Sequence, residues 1–115
     1  MANMILLSVI FGDTRIQNKS SRKLHFNVEN LDNKRRSFCL KVVAKSSLVS
    51  VSPPCGNKHS IKPNGVSVDG YNDTFHFTYS GKIPSSELDV CAYLVDPNNH
   101  DTLISNSIPG TYMFF

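Results

Sequence analysis

An all-β fold, in the form of an immunoglobulin-like seven-stranded antiparallel sandwich, is predicted by three features of this 115-residue chain. Apolar and polar residues alternate with period two along most of its length, no stretch sustains a helical stripe, and turn-forming residues separate the alternating runs at short intervals. One domain of this size buries about two thirds of its unfolded surface and can stand on its own core. No internal repeat, low-complexity tract or linker divides it, so residues 1–115 read as a single domain.

The apolar run from Met4 to Phe11 reads as the first strand. It lacks a basic leading segment and a small-residue cleavage site, and it is too short to span a bilayer. Leu24, Phe26 and Val28 then alternate with His25, Asn27 and Glu29, so one face packs and the other meets water. After an Asn- and Asp-rich turn from Asn30 to Lys34, Phe38, Leu40 and Val42 share a face opposite Ser37, Cys39 and Lys41. These two runs are expected to be neighbouring strands. A short strand from Leu48 to Val51 leads into Ser52-Pro53-Pro54-Cys55-Gly56, where two residues without a backbone donor end strand pairing and Gly56 is expected to reverse the chain at positive φ.

A loop from Asn57 to Asn64 follows. Either Val66 to Val68 or Thr74 to Tyr79 supplies the fifth strand. Leu88, Val90, Ala92 and Leu94 form the clearest alternation, stopped by the turn Asp96-Pro97-Asn98-Asn99, and a last strand lies between Thr102 and Phe115.

The three cysteines, Cys39, Cys55 and Cys91, are odd in number and match no paired zinc spacing. Free thiols in a reducing compartment are therefore expected, and with them a cytoplasmic protein whose sequons at Asn18 and Asn72 are chance occurrences. An antibody-type domain is excluded by the absence of Trp and by the polar parity of Cys39 and Cys91.

No serine sits in a nucleophile elbow, His25, His59, His76 and His100 are scattered without metal-ligand spacing, and no Gly-rich loop would cradle phosphate. No catalytic residue, metal ligand or cofactor is expected. The net charge of +3 is modest, and its one dense run, Lys34-Arg35-Arg36, lacks the interleaved aromatics that stack on bases, so nucleic acid is not an expected partner. Arg15, Lys19, Arg22 and Lys23 flank the preceding connection and are expected to join that run in space. With Val42 inward, Val43 is left as an outward apolar residue beside Cys39.

The segment His25-Phe26-Asn27-Val28-Glu29-Asn30, the pair Arg35-Arg36, Lys41, and the run from Leu48 through the Pro53-Pro54-Cys55-Gly56 corner resemble, in order and near-spacing, the nematode major sperm protein domain. Ile61-Lys62-Pro63 and the strand from Leu88 closing on Asp96-Pro97 also look like family positions. The likeness covers Val9 to Asp101. Gly12-Asp13-Thr14 replaces the family's bend proline, one residue is inserted between Lys41 and the corner, and the tail from Leu103 lacks the family's basic stretch, which marks a divergent small member.

The resemblance implies a PapD-like sandwich with no enzymatic activity that self-associates through exposed strands, as a homodimer and then a head-to-tail filament, in the cytoplasmic cytoskeleton that drives sperm motility. It also implies that Arg35 and Arg36 belong to a surface meeting an acidic partner or a second subunit. In the related domains of VAMP-associated proteins, a lysine matching Lys41 lies on a face that binds short acidic peptides containing phenylalanine, helped by threonines directly after it. Val42 and Val43 stand there in this chain, which removes hydrogen bonds worth about 1 kcal/mol each. A monomeric adaptor gripping an acidic peptide through Lys41 and Lys45 is the alternative. The candidate binding residues are thus Arg35, Arg36, Lys41, Val43 and Lys45.

Overall fold

The alternating runs become ten strands among the residues that the computed structural model describes, 5–81 and 87–114. Met4 and Phe115, the outer ends expected for the first and last strands, lie outside the described residues. In chain order the strands are β1 (Ile5–Ile10), β2 (Arg15–Ile16), β3 (Ser20–Asn30), β4 (Arg36–Ala44), β5 (Val49–Ser52), β6 (His59–Ile61), β7 (Tyr71–Tyr79), β8 (Leu88–Asp96), β9 (Asn99–Leu103) and β10 (Ile108–Phe114). One sheet has the order β1-β3-β7-β5 and the other β2-β10-β8-β4-β6, with β9 paired to β8. The first is the A-B-E-D sheet of an immunoglobulin-like sandwich and the second contains its C-F-G sheet.

The expected seven strands are therefore all present, and the additional ones are short. β2 adds a two-residue parallel pairing to β10, β6 emerges inside what read as a loop, and the last expected strand divides into β9 and β10. Of the two candidates for the fifth strand, Tyr71–Tyr79 is the full strand. Residues 66–68 only extend its line, through a bridge from Val66 to Glu29 and a bond from Ser67 N to Val28 O at 3.0 Å.

The strands β3 and β4 are not neighbours. They lie in opposite sheets, and the rings of Phe26 and Phe38 meet edge-to-face across the interior, 6.5 Å apart. The turn between them is a sheet-to-sheet crossover held by the fully buried Asn30, whose Nδ2 donates to Lys34 O at 2.9 Å and Lys62 O at 3.0 Å, while Asp32 N donates to its Oδ1. An Asn-rich turn signals a reversal but not whether the returning strand pairs or crosses, since the side chain serves either. The core between the sheets is built on the inward residues of the strands, led by Leu24, Phe26, Phe38, Leu40, Phe75, Phe77 and Tyr112.

The Pro-Pro-Cys-Gly corner transfers the chain from β5, at the edge of the first sheet, to β6 beside β4 in the second. Its Ser52–Pro53 peptide is cis. Gly56 does not reverse the chain at positive φ; its lack of a side chain serves space instead, because a Cβ there would lie 2.8 Å from the carboxylate of Asp73. Two of the cysteines are not free. Cys39 is bonded to Cys55, with Cα atoms 6.0 Å apart, and Cys91 remains a thiol. Cys39 does point outward as its parity requires, but the corner folds over it and leaves it 2% exposed. Outward parity is thus not exposure where a loop covers the sheet.

Candidate interaction surface

Alternation along β4 sends Lys41 and Val43 to the outer face of the second sheet, and Lys45 follows directly after the strand. The ladder places Tyr93 opposite Lys41 and Cys91 opposite Val43, and on the far side of β8 it sets Pro109 opposite Cys91. Val43 is 37% exposed, Pro109 is exposed, and Cys91 and Tyr93 are half-buried. An apolar stripe therefore crosses three strands. Two cations bracket it along β4: Lys41, whose Nζ donates to His100 O at 3.3 Å, and the exposed Lys45, about 13 Å further along. Asp89, exposed on β8, supplies an acid beside Lys45, whose backbone N donates to Asp89 O at 2.9 Å.

Arg35 and Arg36 are not part of this patch. They sit at the other end of β4, about 30 Å from Lys45 by strand rise, where they line a polar groove of 340 Å3 with Ser37, Asp96 and Asn98. Arg36 Nη1 is already paired with Asp32 Oδ2 at 3.1 Å, and Arg35 Nη1 reaches Ser60 Oγ at 3.5 Å. Nor does the basic run gather Arg15, Lys19, Arg22 and Lys23. Arg22 lies near the start of β3, about 25 Å from the turn that follows its end, with Nη2 donating to Arg15 O and its guanidinium over the ring of Tyr112. A connection between sheets separates what looks adjacent in the sequence.

The edges of the sheets are covered in part. On β1, Leu7 N donates to Asn106 Oδ1 at 2.8 Å and Asn106 Nδ2 donates to Leu7 O at 3.0 Å, so one side chain takes the place of a pairing strand. On β4, Leu40 O accepts from Gly56 N at 2.8 Å. The outer face of the first sheet carries a shallow groove of 240 Å3 between the exposed Leu6 and Val66, floored by Leu7 and Val28.

A buried polar cluster lies outside the sequence expectations. Asp73, 3% exposed, faces inward from β7 and accepts from Asn57 N at 3.2 Å and Asn57 Nδ2 at 2.9 Å, while its Oδ2 lies 3.1 Å from His59 Nε2. The imidazole packs among Phe26, Phe38 and Tyr71. The signal was available: Asp73 occupies the inward parity shared by Phe75 and Phe77, where a carboxylate survives only with donors around it. The pair does not form a catalytic triad, because no hydroxyl, thiol or amine is hydrogen-bonded to His59 among the described residues. Its effect is to tie the corner to β7. Three possible metal ligands, Cys39 Sγ, Cys55 Sγ and a nitrogen of His100, lie within 4.8 Å of one another on the side of β4 that the corner covers.

No protein-family model matches this sequence, and no curated protein is similar to it. Solved structures do resemble the fold. A FixG-related protein from Vibrio parahaemolyticus aligns over 98% of both chains with a TM-score of 0.63 at 15% identity. The native alpha-2-macroglobulin of Escherichia coli, spanning domain MG7 to the C-terminus, aligns with all of this chain over 17% of its own length, with a TM-score of 0.59 at 9% identity. At such identities the likeness is one of fold alone, an immunoglobulin-like sandwich. No helix among the described residues is long and apolar enough to cross a membrane.

Proposed function

We propose that this chain is a non-enzymatic protein-interaction module of the major sperm protein type, which self-associates through the outer face of β4, β8 and β10. The observation that carries the reading is Val43, exposed on β4 at one end of an apolar stripe that continues through Cys91 to Pro109 with Tyr93 alongside, and bracketed along its strand by Lys41 and Lys45. An apolar centre with a charged rim is the usual anatomy of a protein contact. Lys45 and Asp89 lie side by side on this face, so a two-fold arrangement sets each lysine against the other copy's carboxylate. On β1 the edge groups of Leu7 are already taken by Asn106, and the proposed association lies on the face of β4, β8 and β10 rather than at a sheet edge. With the resemblance read from the sequence, the proposal extends to a dimer that builds cytoskeletal filaments of the kind found in nematode sperm.

The test is sedimentation velocity over a concentration series, on the wild-type chain and on Val43→Glu. Dimers or larger species that the variant converts to monomers support the reading. Monomers at every concentration would favour the adaptor, to be checked by titrating a short acidic phenylalanine-containing peptide against wild type and Lys41→Glu.

A further inference from the structure

We propose that Cys39, Cys55 and His100 form a redox-gated binding site for a thiophilic divalent cation of the zinc class. Two sulfurs and an imidazole nitrogen within 4.8 Å of one another are the donor set that such an ion selects. A tetrahedral ion with bonds of about 2.3 Å to sulfur and about 2.0 Å to nitrogen needs these atoms about 3.5 to 3.8 Å apart. The imidazole nitrogen, within 4.8 Å of both sulfurs, comes to that distance by a small movement of its exposed side chain, and the sulfurs reach it by separating once their mutual bond is opened.

Three independent elements position the ligands. Cys39 stands on the outward face of β4. Cys55 is brought over it by the corner, where Gly56 N donates to Leu40 O at 2.8 Å. His100 comes from β9, after a hairpin turn braced by Asn98 N on Asp96 Oδ1 and Asp101 N on Asn99 Oδ1, and its backbone oxygen accepts from Lys41 Nζ. The ligands are dispersed along the chain, so no spacing motif announces them. Both cysteines are buried, at 2% and 8% exposure, beside the buried Val95 and half-buried Tyr93, whereas His100 is exposed. That arrangement has a dry sulfur floor and an open mouth, so the fourth position is left to water or an incoming ligand.

In the disulfide form neither sulfur is a thiolate, and the site is closed to metal. A dithiol reductant opens it: its two thiols deliver two electrons and two protons, the Cys39–Cys55 bond breaks to two thiols, and the reductant leaves as its own disulfide. The divalent cation then displaces both thiol protons and takes the lone pair of neutral His100. The metal-free reduced form is also accommodated, since Cys55 Sγ lies 3.3 Å from Leu40 O, ready to donate to it as a thiol. Metal occupancy would thus report the redox state of the pair.

The experiment is anaerobic titration with Co2+ of protein reduced by a phosphine, read by visible d–d absorption and sulfur-to-cobalt charge transfer, with circular dichroism on the same samples. One equivalent bound in tetrahedral geometry, none by the oxidised protein, is the expected result. His100→Ala, which keeps both cysteines and the disulfide, is expected to weaken Co2+ binding by more than about 10-fold. Cys55→Ser should abolish the charge-transfer band, and Cys91→Ser should leave the titration unchanged. The proposal is overturned if the reduced, folded protein shows no charge-transfer band, if His100→Ala binds as tightly as wild type, or if Cys91→Ser is the variant that loses the ion; the disulfide would then be a structural cross-link alone.

Discussion

At Gly56 the relevant variable is volume. A methyl group there would meet the Asp73 carboxylate at 2.8 Å, and that carboxylate is fixed by Asn57 and His59, so it has no free direction in which to retreat. Gly56→Ala is therefore expected to lower stability by about 1 to 3 kcal/mol, measured by urea unfolding. Asp73→Ala removes the acceptor of the same cluster and strands the Asn57 donors, a loss of about 2 kcal/mol in the same assay. Tyr112 gives a pH-dependent case. Burial pushes its pKa up from 10.0 to about 12, against the lowering effect of Arg22, and its hydroxyl donates to Phe11 O at 2.9 Å. Since the folded pKa is the higher one, the unfolded chain ionises first: this stabilisation is complete below pH 10 and is lost as pH rises towards about 12. Tyr112→Phe should flatten the alkaline decline in stability, measured by denaturant midpoints from pH 9 to about 12. Some slope will remain, because burial also raises the pKa of Tyr71.

Strands with unbroken alternation were legible element by element, and the connections between them were not. Leu24, Phe26 and Val28, like Phe38, Leu40 and Val42, pack inward as their parity requires, because period two is a local property of extended backbone. Whether two consecutive strands pair or face each other is decided by contacts remote in sequence, such as Asn30 with Lys62 and Phe26 with Phe38, which leave no local pattern. The same limit explains the placement of the candidate residues: Lys41, Val43 and Lys45 share one strand and its immediate exit and fall together, while Arg35 and Arg36 are carried to the other end. It explains the cysteines too, since Cys55 reaches Cys39 only because the corner changes sheets. That bond closes a loop with a sequence separation of 16, so reducing it should cost about 3 kcal/mol of stability through loop entropy. The denaturant midpoint of the metal-free protein with and without reductant measures this, and Cys91→Ser should not alter the difference.

As a whole the molecule is a sandwich whose two outer faces differ. The first sheet shows water a shallow apolar groove between Leu6 and Val66, and the second shows the Lys41, Val43 and Lys45 stripe. The proposed self-association through the second face would have a distinctive dependence on salt. Val43, Cys91 and Pro109 contribute apolar area that salt does not weaken, whereas Lys45 against Asp89 of a second copy is an exposed pair screened over about 8 Å at physiological ionic strength. Added salt should therefore weaken the dimer only modestly, in proportion to the rim. Lys45→Glu should weaken it strongly at low salt, by setting carboxylate against carboxylate, and added salt should restore part of the affinity. Lys45→Glu combined with Asp89→Lys re-creates the complementary pair across the two-fold and is expected to recover dimers that neither single variant forms at the same concentration. Sedimentation equilibrium at low and high salt distinguishes the outcomes. If the double variant stays monomeric while remaining folded, Lys45 and Asp89 do not pair across the two-fold axis.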